Sequence, residues 1–257
     1  MPSITETLYA LGLSEEVVGV TQNCNYPPEA KLKEKIGRET VNLEKVIALK
    51  PDLILMLEDA QKKDIEKLKR FGLPIFTINP HTVAEVLDSI TEIGQVTGAT
   101  AEARRLVEGM KERIDNTKKP RSASTALGTM SLSNGLFAGF LTPRPMVFVV
   151  VGWEPLISAG PGTFINDVIR LAGGVNLAER TNSPYPQYDF EELLKNDPPY
   201  IIIPEGLISM DEVKKSDRWR QLSAVKSGKI LFVDPDILSR PGPRVVLAIE
   251  AIAGFLK

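Results

Sequence analysis

The chain has 257 residues, of which 43% are hydrophobic and 25% charged, proportions that are typical of a soluble globular protein with a substantial core. A formal net charge of −2 gives no electrostatic reason to expect nucleic acid or an anionic membrane as a partner. The single cysteine excludes an intrachain disulfide, and no apolar run is long enough to span a bilayer.

The first predicted element is a helix that begins at Ser3, which forms the Ser-x-x-Glu capping pattern with Glu6. The same spacing of a short polar residue and a glutamate predicts helix starts at Thr82, Asp189 and Ser209. Neither a basic region nor an apolar core of an export signal precedes it. The sequence therefore predicts either a cytosolic protein or an export signal that lies outside these residues, and the repeat described next favours the second.

Three segments of the first half recur in the second half, in the same order. Residues 42–55 match 189–202 at an offset of 147, and residues 74–80 match 229–235 at an offset of 155. Residues 3–12 match 163–172 at an offset of 160. Each half predicts alternating strands and helices, which indicates a parallel sheet covered by helices. The expected fold is α/β, with two Rossmann-like lobes of mostly parallel sheets joined by a rigid backbone helix.

The repeat also predicts an asymmetry between the halves. In the second half a strand at Met146–Val151 precedes the helix at Thr163. The equivalent strand of the first half would precede Ser3. We therefore expect that a first strand, together with any signal peptide before it, is missing from this sequence.

Two helices are predicted between the lobes. An apolar stripe from Val83 to Ile93 ends at Gly98, and a charged helix follows from about Thr100 to Lys118. Together they indicate a stiff spine. The predicted units are an amino-terminal lobe at 1–97, a connecting helix at 98–120, an insertion or loop at 121–145 and a carboxyl-terminal lobe at 146–257. The insertion is expected to be a surface loop, with a functional flap as the alternative.

Residues typical of enzymes or metal sites are sparse. His81 is the only histidine and is expected in a turn, since one histidine and one cysteine cannot supply a zinc site. Cys24 lacks a nucleophile motif and is expected to be a buried thiol. Gly160-Pro161-Gly162-Thr163 favours a tight turn and helix cap over a phosphate loop. The sequence thus predicts no catalytic residue, no metal site and no resident cofactor.

Aromatic, proline and arginine residues are concentrated in loops that follow strands. In a duplicated α/β protein such loops converge on the cleft between the lobes. Aromatic rings can cover a large planar ligand, and arginine can bind its amide or carboxylate edges; core packing is the alternative for each ring. The predicted ligand-binding residues are Asn23, Tyr26, Arg38, Trp153, Tyr185, Asp236, Ile237, Leu238, Ser239 and Arg240, with Tyr188 beside Tyr185.

Glu44 and Glu191 occupy equivalent positions of the repeat, each in the first turn of a predicted helix. A carboxylate there interacts favourably with the helix dipole. The alternative role is docking, in which two symmetry-related acids bind two basic pockets on a two-fold symmetric partner, such as the paired membrane subunits of an importer.

Several motifs together resemble the periplasmic cobalamin-binding and iron-siderophore-binding proteins of ABC importers, and vitamin B12 binders most of all. They cover nearly the whole chain except Arg121 to Thr142. These motifs are Tyr26-Pro27-Pro28-Glu29-Ala30, Asn42-Leu43-Glu44, Leu49-Lys50-Pro51-Asp52-Leu53-Ile54, Ala159-Gly160, Asp167-Val168-Ile169, Gly173-Gly174, Tyr185-Pro186-Gln187, Arg240 and Pro243-Arg244. The resemblance implies ligand contacts at Asn23 and at Asp236 to Arg240, and permease docking through Glu44 and Glu191.

The resemblance implies a non-enzymatic, monomeric binding protein, periplasmic or extracellular and membrane-associated, which delivers a cobalt corrinoid to an ABC permease. Arg38 and Tyr185 stand where the vitamin B12 binder has tryptophans, which leaves a ferric siderophore or haem as the alternative ligand. A cytosolic chelate-handling protein or an enzyme is the alternative of another class.

Overall fold

The computed structural model describes residues 1–38, 40–118 and 144–257. The predicted insertion at 121–145 therefore lies outside the described residues, except for Arg144 and Pro145. Two lobes and a helical spine make up the described chain.

The amino-terminal lobe alternates helices and short strands. Its elements are α1 (Pro2–Ala10), β1 (Gly19–Val20), a 3-10 helix (Pro28–Leu32), β2 (Glu34–Lys35), α2 (Leu43–Leu49), β3 (Ile54–Leu57), α3 (Glu58–Lys69) and β4 (Ile75–Ile78). The spine then consists of α4 (Val83–Thr97) and α5 (Thr100–Lys118).

The carboxyl-terminal lobe begins directly with a buried strand. Its elements are β5 (Met146–Val149), α6 (Phe164–Leu171), β6 (Val175–Asn176), a 3-10 helix (Leu177–Arg180), α7 (Phe190–Asn196), β7 (Tyr200–Pro204), α8 (Met210–Lys215), a 3-10 helix (Trp219–Gln221), α9 (Ser223–Lys226), β8 (Ile230–Val233), α10 (Pro235–Ser239) and α11 (Val245–Phe255). Strand β5 is fully buried except at its first residue, as expected for a strand covered by helices on both faces.

All strand pairs are parallel, which confirms the predicted fold class. In the carboxyl-terminal lobe the strands form one sheet of order β6-β5-β7-β8. In the amino-terminal lobe β1 pairs with β2 and β3 pairs with β4, but these are two separate sheets. Both lobes therefore contain parallel strands, but only the carboxyl-terminal lobe combines its strands into one sheet.

The predicted duplication reappears in individual backbone contacts. The Ile54 N–H donates to the Pro74 carbonyl at 2.8 Å, and the Ile201 N–H donates to the Lys229 carbonyl at 3.1 Å. Both partners of the second bond lie at the predicted offsets from those of the first. Helices α2 and α7 also end alike, with left-handed residues at Lys50 and Asp197.

Helix caps follow the predicted pattern at three of four sites. Thr82 with Glu85 and Ser209 with Glu212 form complete capping boxes, and the Asp189 side chain accepts from two backbone N–H groups of α7. The prediction for Ser3 and Glu6 is wrong. Helix α1 starts at Pro2, and Ser3 makes no capping bond. The side chains of Ser3 and Glu6 are both buried, so Glu6 can form contacts other than a cap.

The largest apolar cluster joins the two lobes through the spine. It contains buried residues of α1, α4, α5, β5, α6 and α11. At Gly94 of α4 a Cβ would collide with the Cβ of Ala103, so the absence of a side chain allows α4 and α5 to pack closely. Arg113 of α5 adds two hydrogen bonds to Glu250 of α11, at 2.8 and 2.6 Å. This packing makes the spine a rigid connection.

Candidate functional site

A cluster of charged and polar side chains connects the lobes. Helix α1 contributes Glu6 and the loop after β1 contributes Asn25, while the segment from α10 to α11 contributes Asp236, Arg240 and Arg244. We call these five residues the interlobe cluster. Asn25 follows β1, and Asp236, Arg240 and Arg244 follow β8, so these four residues come after the carboxyl ends of strands, where ligands of open α/β sheets bind.

Glu6 lies at the centre of the interlobe cluster. Its side chain is 2% exposed and accepts three hydrogen bonds from guanidinium groups: Arg240 Nη1 at 2.9 Å, Arg244 Nε at 2.8 Å and Arg244 Nη2 at 2.7 Å. These bonds raise the pKa of Arg244. A buried carboxylate is tolerated because both its oxygens are paired with charge.

Asn25 and Asp236 complete the connection between the lobes. The Asn25 amide donates to Asp236 Oδ2 at 2.9 Å and accepts from Arg240 Nη1 at 2.7 Å. Arg240 Nη2 lies 2.7 Å from Asp236 Oδ1. The Arg240 side chain, 17% exposed, therefore contacts acceptors of both lobes in this conformation.

The predicted aromatic residues lie in loops of both lobes. The Tyr26 ring of the amino-terminal lobe is 44% exposed and lies under the Arg244 guanidinium, 4.0 Å from ring centroid to Cζ. In the carboxyl-terminal lobe Tyr185 is 59% exposed. Half-buried Trp153 stacks on Trp219 at 4.4 Å between centroids. Exposed rings on loops of both lobes offer flat apolar surface to a ligand.

Backbone pairing holds the two carboxyl-terminal aromatic loops together. The Ser158 N–H donates to the Pro186 carbonyl at 3.1 Å, and the Gly160 N–H donates to the Pro184 carbonyl at 2.7 Å. A Cβ at Gly160 would collide with the Ser183 carbonyl oxygen, so only glycine permits this approach. Thr163 caps α6 through its hydroxyl, which confirms the predicted turn and cap.

The other predicted ligand residues differ in how far their side chains are exposed. Asn23 and Arg38 are exposed, and so is Ser239, whose hydroxyl donates to the Pro235 carbonyl at 2.6 Å. Ile237 is partly buried and packs against the main core. Among the described residues, Arg38 makes no hydrogen bond or ion pair, so its charge remains available to a ligand.

Two residues of the predicted cleft are core residues. Leu238 is 1% exposed, because the turn of α10 points its side chain into the main apolar cluster. Tyr188 is buried, with its ring edge against Phe148 at 4.9 Å between centroids. Contact with a ligand through these side chains is not compatible with this packing. Residue type and spacing alone do not distinguish Leu238 and Tyr188 from their exposed neighbours.

Three residues of the interlobe cluster were not among the predicted site residues. Glu6 was interpreted as a cap, Arg244 entered only through a motif, and Asn25 was not singled out. The spacing of Arg240 and Arg244, which are four residues apart, is the sequence signal for this cluster. Two neighbouring guanidinium groups require a nearby acid.

Glu44 and Glu191 are both exposed, in the first turns of α2 and α7. The N-cap residues are Asn42, which accepts from the Lys45 N–H at 3.0 Å, and Asp189, which accepts from the Glu191 N–H at 2.6 Å. Neither glutamate makes an ion pair among the described residues. The two carboxylates are thus presented to solvent at equivalent points of the two lobes.

Candidate metal ligands and nucleophiles are few in the described ranges. No group of three or more histidine, cysteine or acidic side chains there could hold a metal ion. Cys24 is buried, as predicted, and its sulfur lies 3.2 Å from the hydroxyls of Thr5 and Thr21. His81 lies in the exposed loop before α4, 3.3 Å from Asp59. No helix in this part of the chain is long and apolar enough to cross a membrane.

Comparison with known proteins agrees with this architecture. Residues 1–237 match the family described as periplasmic binding protein. An uncharacterized ABC transporter substrate-binding lipoprotein of Bacillus subtilis, YvrC, is 35% identical over 98% of this chain and 77% of its own length. The vitamin B12-binding protein of Vibrio cholerae is 28% identical over 100% of this chain and 87% of its own length.

A solved structure shows the same fold. A possible iron-binding, periplasmic solute-binding protein from Staphylococcus epidermidis superposes with a TM-score of 0.80 at 28% identity, covering 99% of this chain and 95% of the other. The chain belongs to the periplasmic binding protein family. Within it, the chain is a class III binding protein of the ABC-transporter type, and the resemblance deduced from the sequence motifs is confirmed.

Proposed function

We propose that this protein captures a corrinoid in the cleft between its lobes and delivers it to an ABC permease. The observation that carries the proposal is the interlobe cluster, in which Asn25 of one lobe is hydrogen-bonded to Asp236 of the other and the exposed Tyr26 ring lies against Arg244. A ligand bound at the cluster would contact Asn25 of one lobe and Asp236 of the other. Hydrogen-bonding groups from both lobes would then orient it.

Charge balance favours a ligand with little net charge and many amide groups. Two guanidinium groups, Arg240 and Arg244, face three carboxylates, those of Glu6, Asp234 and Asp236. The cluster has no surplus positive charge with which to attract an anion. The outer atoms of the interlobe cluster are hydrogen-bond donors and acceptors that can pair with amide groups. A corrinoid carries such amides around the edge of its ring.

The ligand can be tested by titrating the purified protein with cyanocobalamin. The chain contains two tryptophans, Trp153 and Trp219, which are stacked on each other in the carboxyl-terminal lobe. Bound corrinoid should therefore quench their fluorescence in a saturable way at micromolar or lower concentration. Absence of saturable quenching, together with absence of retention in equilibrium dialysis, would remove the corrinoid from consideration.

A ferric siderophore or haem is the second candidate, and Arg38 favours it. This exposed guanidinium has no ion-pair partner among the described residues, and such a cation can bind a carboxylate or catecholate edge. Absorbance of protein purified from its own host separates the two ligand classes, since corrinoid, haem and ferric siderophore have different visible spectra. Loss of binding in Arg38→Gln, but not in Lys31→Gln nearby, would support the anionic ligand.

We infer that Glu44 and Glu191 dock the loaded protein on the permease. Both carboxylates are exposed and both precede strands at equivalent positions, so a two-fold symmetric partner can bind them with two copies of one basic pocket. Charges at the rim of a protein interface mainly change the rate at which the two proteins associate.

The docking proposal is tested with the double variant Glu44→Gln and Glu191→Gln. Ligand affinity should stay within about twofold, while transport in reconstituted vesicles falls by about tenfold or more. Glu108→Gln with Glu112→Gln on α5 makes the same change in net charge and should transport normally. If the docking variant loses ligand binding as much as transport, these acids belong to the cleft and not to the docking surface.

The cellular setting follows from the same proposal. A protein that feeds an importer acts outside the cytoplasm, close to the membrane that contains the permease. One chain supplies both lobes and both acids, so a monomer is sufficient for the proposed cycle.

A further inference from the structure

Asn25 is bound to the other lobe through both ends of its side-chain amide. Its Nδ2 donates to Asp236 Oδ2 at 2.9 Å, and its Oδ1 accepts from Arg240 Nη1 at 2.7 Å. Arg240 Nη2 in turn lies 2.7 Å from Asp236 Oδ1. An acid and a guanidinium that are paired with each other therefore hold one carboxamide group between them. We call Asp236 and Arg240 the charge pair.

The charge pair is held in place by bonds that do not involve Asn25. Arg240 Nη1 also donates to Oε1 of the buried Glu6 at 2.9 Å. The Asp236 backbone N–H donates to Oδ1 of Asp234, the N-cap of α10, at 2.7 Å. The donor of Arg240 and the acceptor of Asp236 should therefore stay side by side when the Asn25 amide leaves.

Asn25 itself is loosely held. Its side chain is exposed, in the loop after β1, and in the described part of the chain it makes no hydrogen bond other than the two to the charge pair. Rotation of this short side chain moves its amide into water, where both of its polar groups are solvated. Asn25 can therefore be exchanged for another amide without rearrangement of the backbone.

The charge pair is chemically selective for a carboxamide. Asp236 Oδ2 requires a donor, and the Arg240 guanidinium requires an acceptor. A carboxamide presents an N–H and a C=O next to each other, as Asn25 does. A carboxylate has no N–H to donate and would place its charge against that of Asp236, which disfavours it.

On the basis of the proposed function, which places a ligand with many amide groups at the interlobe cluster, we propose that Asn25 is an internal competitor of that ligand. In the free protein the Asn25 amide occupies the charge pair, and an amide of the ligand displaces it on binding. The hydrogen bond between Asn25 and Asp236 breaks at that step. The fraction of free protein in which Asn25 has left the charge pair then limits the affinity, since the apparent dissociation constant is the intrinsic one divided by that fraction.

The substitution Asn25→Ala removes the competitor and leaves the charge pair intact. We expect this variant to bind cyanocobalamin about fivefold or more tightly in equilibrium dialysis, the gain that results if Asn25 is away from the charge pair for about a fifth of the time. Asn196→Ala is the matched control. The Asn196 amide donates to the Glu192 carbonyl at 2.9 Å at the end of α7, before the amino end of β7, and its loss should leave the affinity unchanged.

The sign of the change separates a competitor from an ordinary ligand contact. If Asn25 binds the ligand directly, Asn25→Ala binds cyanocobalamin more weakly. Unchanged affinity means that Asn25 does not block the charge pair. Either result overturns the proposal, and so does an equal gain in Asn196→Ala.

A second measurement follows the Asn25 amide itself by NMR. Its side-chain N–H signals are identified by their loss in Asn25→Ala. We expect Asp236→Ala to shift these signals in the free protein, and bound cyanocobalamin to shift them in the same direction; signals that bound cyanocobalamin leaves in place overturn the displacement. If none of the proteins binds cyanocobalamin, the corrinoid proposal fails by itself. In that case Asn25 signals that Asp236→Ala leaves unchanged overturn the competitor, whereas shifted signals support it.

Discussion

The two lobes contain copies of one structural unit, yet only one of them has a continuous sheet. In the carboxyl-terminal lobe β5 lies between β6 and β7 and connects them. In the amino-terminal lobe the equivalent strands form two separate pairs with an apolar slot between them. The central strand, and not the flanking helices, therefore unites such a sheet, because only this strand supplies backbone hydrogen-bond partners to both neighbouring strands.

The largest expected difference between the lobes is the cost of removing an equivalent side chain. Ile202 of β7 is fully buried between two neighbouring strands, whereas its repeat equivalent Leu55 is partly buried and lines the slot. Ile202→Ala should lower the free energy of unfolding by about 4 kcal/mol and Leu55→Ala by about 1.5 kcal/mol, because the second side chain has fewer packed neighbours to lose.

Urea denaturation with a common m-value measures both changes. Equal losses would mean that the two lobes are packed equally well at this position.

A smaller effect is expected where the spine meets the carboxyl-terminal lobe. The hydrogen bonds from Arg113 lower the pKa of Glu250. Because the pKa is lower in the folded state, the pair stabilises the fold above the ordinary glutamate pKa. That stabilisation is lost as the pH falls through the folded-state pKa. Both side chains are more than a third exposed, so Glu250→Gln should cost only about 0.5 kcal/mol at pH 7.

Unfolding measured across acidic pH checks the sign. The difference between Glu250→Gln and the unchanged protein should shrink as the pH falls through the acid range. Glu108→Gln, at an exposed position of the same spine, should show no such trend. A difference that grows toward acid would show that the carboxylate destabilises the fold.

The sequence was informative wherever local chemistry and periodicity determine structure. Caps at Thr82, Asp189 and Ser209, the end of α4 at Gly98 and the repeat offsets all rest on neighbouring residues, and the structure confirms them. Parallel pairing followed from alternating strands and helices. These features require no knowledge of distant contacts.

Predictions that depended on distant contacts were less complete. Glu6 fits a capping pattern, but its guanidinium partners lie more than 230 residues away, at Arg240 and Arg244. Leu238 and Tyr188 belong to segments that were assigned to the cleft as a whole, although packing turns these side chains inward. Loop position can be predicted from sequence, whereas the direction of each side chain depends on the assembled core.

We propose that one ligand contacts both lobes across the interlobe cluster. Equilibrium dialysis with cyanocobalamin on Tyr26→Ala, Tyr185→Ala and the control Phe71→Ala tests it most directly, since Phe71 is an exposed aromatic residue in the turn between α3 and β4. We expect each tyrosine variant to bind cyanocobalamin about tenfold more weakly and the control to bind it unchanged. Unchanged affinity in either tyrosine variant would contradict a ligand held between the two lobes.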